Sequence, residues 1–301
     1  MARKTCIVIS GPTAAGKTAL SLRLAEYFNT EIISADSRQC YRDLNIGVAK
    51  PDPADLQRIK HYFINSHSIH EDVNAGIFES YALQAVSAIF EKHDIAFLVG
   101  GTGLYIQAFC KGLDNITQVT PSIREEIRQQ YAVNGLPWLK AMVEKHDPLF
   151  FAKGEMQNPQ RMMRALEVRI SSGKSILEFH SPATKQRDFS IIQTGIELPR
   201  KEIYERINHR VDEMMEKGLL TEVETLFPFR HLNALQTVGY TELFTFLEGK
   251  CTIEKAVTDI KKNTRHYAKR QITWFKRDPN IQWFAPAEAD RLIHLIKKVT
   301  E

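Results

Sequence analysis

The sequence predicts an α/β fold: a P-loop-containing parallel-sheet core with a mostly helical insertion domain and a helical C-terminal part. Three observations carry this. Short β-branched runs alternate with helical patterns over the first hundred residues. A glycine loop, Gly11 to Thr18, separates the first run from the first helix. From about Thr120 to Gly173 no strand pattern occurs, and then a strand returns.

Thr5-Cys6-Ile7-Val8-Ile9 reads as a buried strand, and Lys17 to Tyr27 as the helix after the glycine loop. Glu31-Ile32-Ile33-Ser34 is a second strand. A helix from Ile77 to Lys92 precedes a third strand, Ile95 to Val99. Continuous apolar runs with helices between them point to a parallel sheet covered on both faces. Such sheets hold ligands at the carboxyl ends of their strands. In the middle segment Pro121 opens a helix with Glu125 and Glu126 in its first turn. Gly135, Pro137, Pro148 and Pro159 cut the segment into short helices. Residues 191–198 form a strand, and from Arg200 onward the pattern is helical. The expected division is a catalytic core of residues 1–112 and 187–301, interrupted by an insertion of residues 113–186.

Composition excludes several classes. The chain has 301 residues, 43% hydrophobic and 25% charged, a globular balance rather than a disordered one. The net charge of +4 excludes a polybasic protein but leaves room for a local basic face. Cys6, Cys40, Cys110 and Cys251 are too scattered for a zinc or redox pair and fit reduced thiols in the cytoplasm. The N-terminal apolar stretch is too short for a signal peptide. The longest uncharged run, Ile95 to Cys110, is too short and glycine-rich for a membrane span. A cytoplasmic protein with no membrane partner is expected, and a monomer. His61, His67 and His70 lie near one another, but without carboxylates at ligand spacing no metal site is expected there.

Gly11-Pro12-Thr13-Ala14-Ala15-Gly16-Lys17-Thr18 matches GxxxxGK[ST] in full, between a strand and a helix as that motif requires. The loop amides and the helix N-terminus suit a phosphate, Lys17 adds a mobile charge, and the Thr18 hydroxyl suits Mg²⁺. The motif says phosphate, not which phosphate, so nucleotide binding, including ATP, stays open at this point. An ordinary ATPase carries an acid at the end of a later strand. Here that strand runs into Gly100-Gly101-Thr102-Gly103.

Ser34-Ala35-Asp36-Ser37-Arg38-Gln39 follows the second strand, which brings Asp36 toward the same crevice. Three roles fit Asp36: a water-mediated Mg²⁺ contact, an anchor for a hydroxylated substrate, or a general base. The bland reading is a cap for the following segment.

These strings occur in order with Ile46-Gly47-Val48-Ala49-Lys50-Pro51, Leu98-Val99-Gly100-Gly101-Thr102-Gly103-Leu104-Tyr105, Asn158-Pro159-Gln160-Arg161 and Tyr267-Ala268-Lys269-Arg270-Gln271. Together they closely resemble the tRNA dimethylallyltransferase family over nearly the whole chain. The resemblance implies transfer of a dimethylallyl group from its diphosphate to the exocyclic amine of the adenosine 3′ of the anticodon. The partners implied are dimethylallyl diphosphate and the tRNA anticodon stem-loop, with Mg²⁺ as cofactor. Asp36 matches the family's general base, with Lys17 and Thr102 beside it as catalytic candidates. Gly11, Pro12, Thr13, Ala14, Ala15, Gly16, Lys17, Thr18 and Arg210 match diphosphate-binding positions, Thr18 also the metal position. Asp36, Ser37, Arg38, Gln39, Thr102, Arg124, Gln160, Arg161, Met162, Met163 and Arg164 match tRNA-contacting positions.

The chain departs from the family at Asn65, where many members have an acid, and at Gln236, Thr237 and Thr241, which are less basic than in some. No C-terminal zinc-finger motif is present, so the compact bacterial type is expected.

Apart from the resemblance, Lys261 to Arg277 holds seven Lys/Arg, no acid, and the aromatics Tyr267, Trp274 and Phe275. Such a segment suits an RNA backbone; the plain alternative puts Trp274 and Phe275 in a core. The rivals are a P-loop small-molecule or nucleotide kinase, an isopentenyltransferase acting on a free nucleotide, and an RNA-binding module with a relic loop.

Overall fold

The computed structural model describes residues 4–114, 116, 119–179 and 185–300. The chain forms two compact units, Met1–Lys111 with Gln186–Glu301, and Gly112–Lys185.

In the larger unit, β1 (Thr5–Ser10) leads through the glycine loop into α1 (Lys17–Tyr27). Then come β2 (Ile32–Ala35), α2 (Pro53–Arg58), β3 (His61–Tyr62), α3 (Ala75–Phe90), β4 (Ile95–Gly100) and α4 (Gly103–Lys111). The smaller unit carries α5 (Pro121–His146), α6 (Pro148–Lys153) and α7 (Pro159–Ser172). The larger unit resumes with β5 (Ser190–Ile196), α8 (Arg200–Glu216), α9 (Leu219–Leu226), α10 (Tyr240–Leu247), α11 (Ile253–Phe275), β6 (Gln282–Phe284) and α12 (Ala289–Thr300).

Among the described residues one six-stranded sheet forms, in the order β3-β2-β4-β1-β5-β6, every pair parallel. Successive strand residues face opposite sides. Cys6 and Val8 accordingly join a cluster with Phe78 of α3, Phe109 of α4 and Leu243 of α10. Ile7 and Ile9 join another with Leu24 of α1 and Leu292 of α12. Both faces are covered, which is why the strands read as continuous apolar runs.

The expected strands and the first helix are present. The sequence reading has no place for β3 and β6. Each has two or three residues at a sheet edge, too few to show a period. The helix expected to begin at Ile77 begins at Ala75, because Asn74 caps it by accepting from the Gly76 and Ile77 N–H groups. Gly135 leaves the helical region (φ 68, ψ −163), so α5 is two helices joined across a kink, as the expected cut at that glycine requires. Asp147 and Asn158 cap α6 and α7.

The smaller unit has its own core. Ile127, Leu139, Val143, Phe150, Met162, Met163 and Leu166 are buried together. This corrects two expected RNA contacts: Met162 and Met163 are 0% and 5% exposed and hold α7 against α5.

Candidate active site

At the carboxyl edge of the sheet four residues form one row. Ser10 pairs with Gly100 and with Gly195, and Ala35 pairs with Gly100. Gly11, Asp36 and Gly101 therefore leave the sheet side by side. With strands about 4.8 Å apart, the Asp36 backbone starts about 10 Å from the phosphate loop. Register alone thus brings an acid after β2 and a loop after β1 into one crevice.

Two cavities open there. One, of about 370 Å³, is lined by Thr13 to Thr18, Ser34, Gln39 and Gln271 among others. The second, of about 520 Å³, extends between the Ser37–Arg38 turn, the Gly47–Ala49 loop and helices α8 and α11. Thr13, Asp36, Val48, Ala49, Arg210 and Tyr267 line both, so Asp36 stands where they meet. Gly11 and Pro12 line neither cavity and are buried.

Lys17 Nζ donates to the Pro12 carbonyl at 2.7 Å. Desolvation, then the Arg210 charge, lower its pKa to about 8 against the opposing pull of Asp36. Burial also lowers the Arg210 pKa, with Arg206 adding to this and Glu213 opposing it. Two cations thus share one partly desolvated site, an arrangement an anion would relieve.

Asp36 Oδ1 accepts from the Arg38 N–H at 2.8 Å and the Gln39 N–H at 3.3 Å. These are the capping bonds of the bland reading, and they fix the carboxylate's direction while leaving Oδ2 for another partner. Thr102 lines neither cavity. Its hydroxyl accepts from the Ser37 N–H at 3.1 Å and bonds to Tyr267, so it steadies the Asp36 turn. Burial, then Asp36, push the Tyr267 phenol up to about 12.

Arg38 and Gln39, expected at tRNA, spend their side chains on the protein. Arg38 donates to the carbonyls of Asn233 at 2.8 Å, Ala234 at 3.2 Å and Gln236 at 3.4 Å. Gln39 donates to those of Val48 at 3.2 Å and Ala49 at 3.0 Å. Both brace cavity walls. In the smaller unit Arg124 and Arg164 converge on the buried Glu167, at 3.5 and 3.2 Å. Arg161 pairs with Glu155, and Gln160 is exposed.

The basic segment is not a free arm. It is the C-terminal part of α11 and the turn after it, with Phe275 buried. Lys261 pairs with Asp212 at 2.6 Å, Arg265 donates to Asn208 at 2.7 Å, and Lys276 lies 3.3 Å from Glu197. Lys262 and Lys269 are exposed, while Arg270 lines the larger cavity. The glycine string after β4 reflects this helix. A Cβ at Gly101 would stand 2.2 Å from Gln271 Nε2, and one at Gly103 2.3 Å from the Trp274 ring.

Sequence reasoning missed Glu222. Its carboxylate accepts from the backbone N–H groups of Asn45, Ile46 and Gly47 at 3.1, 2.8 and 3.0 Å and from the Tyr240 hydroxyl at 2.5 Å. It missed Glu242 too, which accepts from the Gly239 N–H and from Asn263. No motif announces either; the chemistry of a lone acid in a helix does not.

A parallel α/β core with a GxxxxGKT loop in one cavity and a carboxylate shared with the next has the make-up of a P-loop protein. The comparisons narrow this class. The model for "IPP transferase" matches residues 39–278, and the chain belongs to that family. It is 43% identical over 295 residues to "tRNA dimethylallyltransferase 1" of Phocaeicola vulgatus, covering 98% of each chain. It is 46% identical over 278 residues to "tRNA dimethylallyltransferase" of Christiangramia forsetii, covering 92% of each. Among solved structures it is similar to a full-length tRNA isopentenylpyrophosphate transferase from Bacillus halodurans. That match has TM-score 0.73 and 32% identity, over 99% of this chain and 97% of that one. No helix among the described residues is long and apolar enough to cross a membrane.

Proposed function

We infer that the protein is a tRNA dimethylallyltransferase, moving a dimethylallyl group from dimethylallyl diphosphate to the exocyclic amine of the adenosine immediately 3′ of the anticodon. The observation that carries this reading is Asp36 at the junction of the two cavities. Diphosphate fits the loop cavity, with Thr13 to Thr18 around it and Lys17 and Arg210 as counter-charges. The hydrocarbon fits the larger cavity, where Ile207, Val211, Met214, Val238 and Ile260 supply apolar wall.

The adenine amine attacks C1 of the dimethylallyl group. The C1–O bond breaks and its electron pair leaves with the diphosphate, where Lys17, Arg210 and the loop amides meet the growing charge. The amine's proton passes to Asp36, the acid at that point. The target base must first be turned out of the anticodon stack, at a cost of a few kcal/mol. Once inserted, it closes the channel and keeps water from the cationic carbon.

The Thr18 hydroxyl, lining the loop cavity, is a hard oxygen donor that fits Mg²⁺ held chiefly by diphosphate and water. Bound there, Mg²⁺ would add positive charge to the leaving group.

Contacts to tRNA beyond the crevice are assigned to Gln160, Arg161, Arg164 and Arg124 of the smaller unit and to the exposed Lys262 and Lys269. The kinase alternative gains nothing from β4, which ends in glycines rather than a metal-binding acid. Incubation with labelled dimethylallyl diphosphate and total tRNA, with nucleoside analysis of the product, should give isopentenyladenosine. Phosphate transfer from ATP at an ordinary kinase rate, with no prenylated nucleoside, would replace this reading.

A further inference from the structure

The wall beside Asp36 is held from outside the crevice. Val48 and Ala49 line both cavities together with Asp36, and Ala49 sits in the left-handed region at φ 49°. A residue with a side chain keeps that conformation only where its surroundings hold it. Two sets of bonds do so. On one side Gln39 Nε2 donates to the Val48 and Ala49 carbonyls. On the other stands Glu222 of α9, which lines neither cavity. Its Oε2 accepts from the N–H groups of Asn45 and Ile46, and its Oε1 from the Gly47 N–H and the Tyr240 hydroxyl. Tyr240 is fully buried, and its ring lies so close that a Cβ at Gly47 would stand 2.5 Å from it.

These bonds suit a carboxylate and nothing else of that length. Three successive amides turned one way make a concave site for an anion. Two oxygens, each able to accept twice, match the four donors. A glutamine would offer one oxygen and turn an NH2 group toward donors already in place. Its surviving bonds would also lose the strength that charge lends to an N–H contact.

The wall is tied in turn to the reacting acid. The Gln39 backbone N–H donates to Asp36 Oδ1, while its side chain grips the loop carbonyls. Glu222, the 45–49 loop, Gln39 and the direction of Asp36 therefore form one connected set. We propose that Glu222 is a positioning residue: from outside the crevice it fixes the 45–49 loop, which keeps water from C1 of the dimethylallyl group and keeps Asp36 aimed at the amine. The bound group rests on the prenyl-transfer reading; the link from Glu222 through the loop to Asp36 does not. With the wall loosened, a water oxygen bonds to C1 and the C1–O bond breaks. The diphosphate leaves with the electron pair, a proton goes to solvent, and the product is dimethylallyl alcohol.

The test uses the full chain as wild type and Glu222→Gln, which is nearly the same size. Labelled dimethylallyl diphosphate and an anticodon stem-loop are mixed in single turnover, and prenylated nucleoside and dimethylallyl alcohol are both counted. Affinity for inorganic diphosphate is measured by calorimetry. Glu222→Gln should slow transfer about 10-fold or more and raise the alcohol share of product at least about 5-fold, with diphosphate affinity within about 2-fold of wild type. The product ratio does not depend on how much protein is folded, so lost stability alone does not move it. Tyr240→Phe removes one bond of the four and keeps the ring, so it should fall between the two. Hydrogen exchange of the unliganded protein should rise in Glu222→Gln at residues 45–49 and, through Gln39, at residues 36–41.

An unchanged product ratio would overturn the proposal. So would a loss of diphosphate affinity equal to the loss of rate, or faster exchange confined to residues 45–49. If Glu222→Gln does not fold, Tyr240→Phe is read against the wild type in the same way. Wild-type transfer with an unchanged ratio in the variant sinks the proposal and spares the function. No transfer by the wild type, with exchange at residues 36–41 still following Glu222, sinks the function and keeps the link to Asp36.

Discussion

Lys17 should make donor binding depend on pH in a window where the donor itself does not titrate. Its ammonium pKa of about 8 comes from desolvation and from the nearby Arg210 charge. A bound diphosphate stabilises the ammonium and raises that pKa again. The pKa is lowered in the unliganded site, so the binding-competent charged form is nearly complete at pH 7 and below and is lost as pH rises through 8. With a pKa near 8, about 90% of Lys17 is charged at pH 7 and about 10% at pH 9. If only the charged form binds well, the apparent Kd of dimethylallyl diphosphate rises about 10-fold between those values. The ester's own last ionisation, near pH 6, is complete by then. Calorimetry in two buffers of different ionisation enthalpy should also show proton uptake on binding near pH 9. Lys17→Met should bind more weakly, with no slope over the same range. A flat wild-type profile from pH 7 to 9, or the same slope in Lys17→Met, would refute the argument.

Asp36→Asn should keep fold and substrate binding while slowing single-turnover transfer about 100-fold or more; a rate near wild type would remove Asp36 as the base. Met162→Ala should cost about 2–5 kcal/mol of the smaller unit's stability, measured as a lower urea midpoint, with stem-loop affinity retained by the folded protein. Arg161→Ala should weaken a cognate anticodon stem-loop more than a mismatched one. Charge reversal at the exposed Lys269 should weaken both about equally and flatten the salt dependence of binding, and gel-shift titrations over a salt series would separate the two.

What could be read from the sequence was local or periodic. β1, the loop and α1 announced themselves because an apolar run, a glycine pattern and a helix start lie next to one another in the chain. The crevice acid was legible because parallel strands deliver their carboxyl ends to one edge. The rest depends on distant pairings. Gln271 meets Thr13 across 258 positions, and Glu222 meets the Asn45 N–H across 177. Nothing near either residue hints at its partner. Met162 and Met163 were misplaced for another reason. They sit within a string of matched positions, but helix phase turns them inward with Leu166 while Gln160 and Arg161 face out. The basic run misled in the same way: its composition is visible in sequence, but Asp212, Asn208 and Glu197, which occupy part of it, are not.

The strand order bears on how the protein is made. β1 lies at the centre of the sheet, with β4 on one side and β5 on the other. Its second neighbour is encoded after the whole of α5 to α7. At 5–20 residues per second, the roughly 90 residues from the end of β4 to the start of β5 take about 5–18 s to synthesise. For that interval the nascent chain carries an open parallel edge of unpaired N–H and C=O groups, Thr5 to Ser10, on the strand that leads into the phosphate loop. Open edges of this kind recruit other strands. Ribosome-bound chains stopped before Ser190 should therefore engage chaperones or aggregate, and chains that have passed Ile196 and the helices behind it should not.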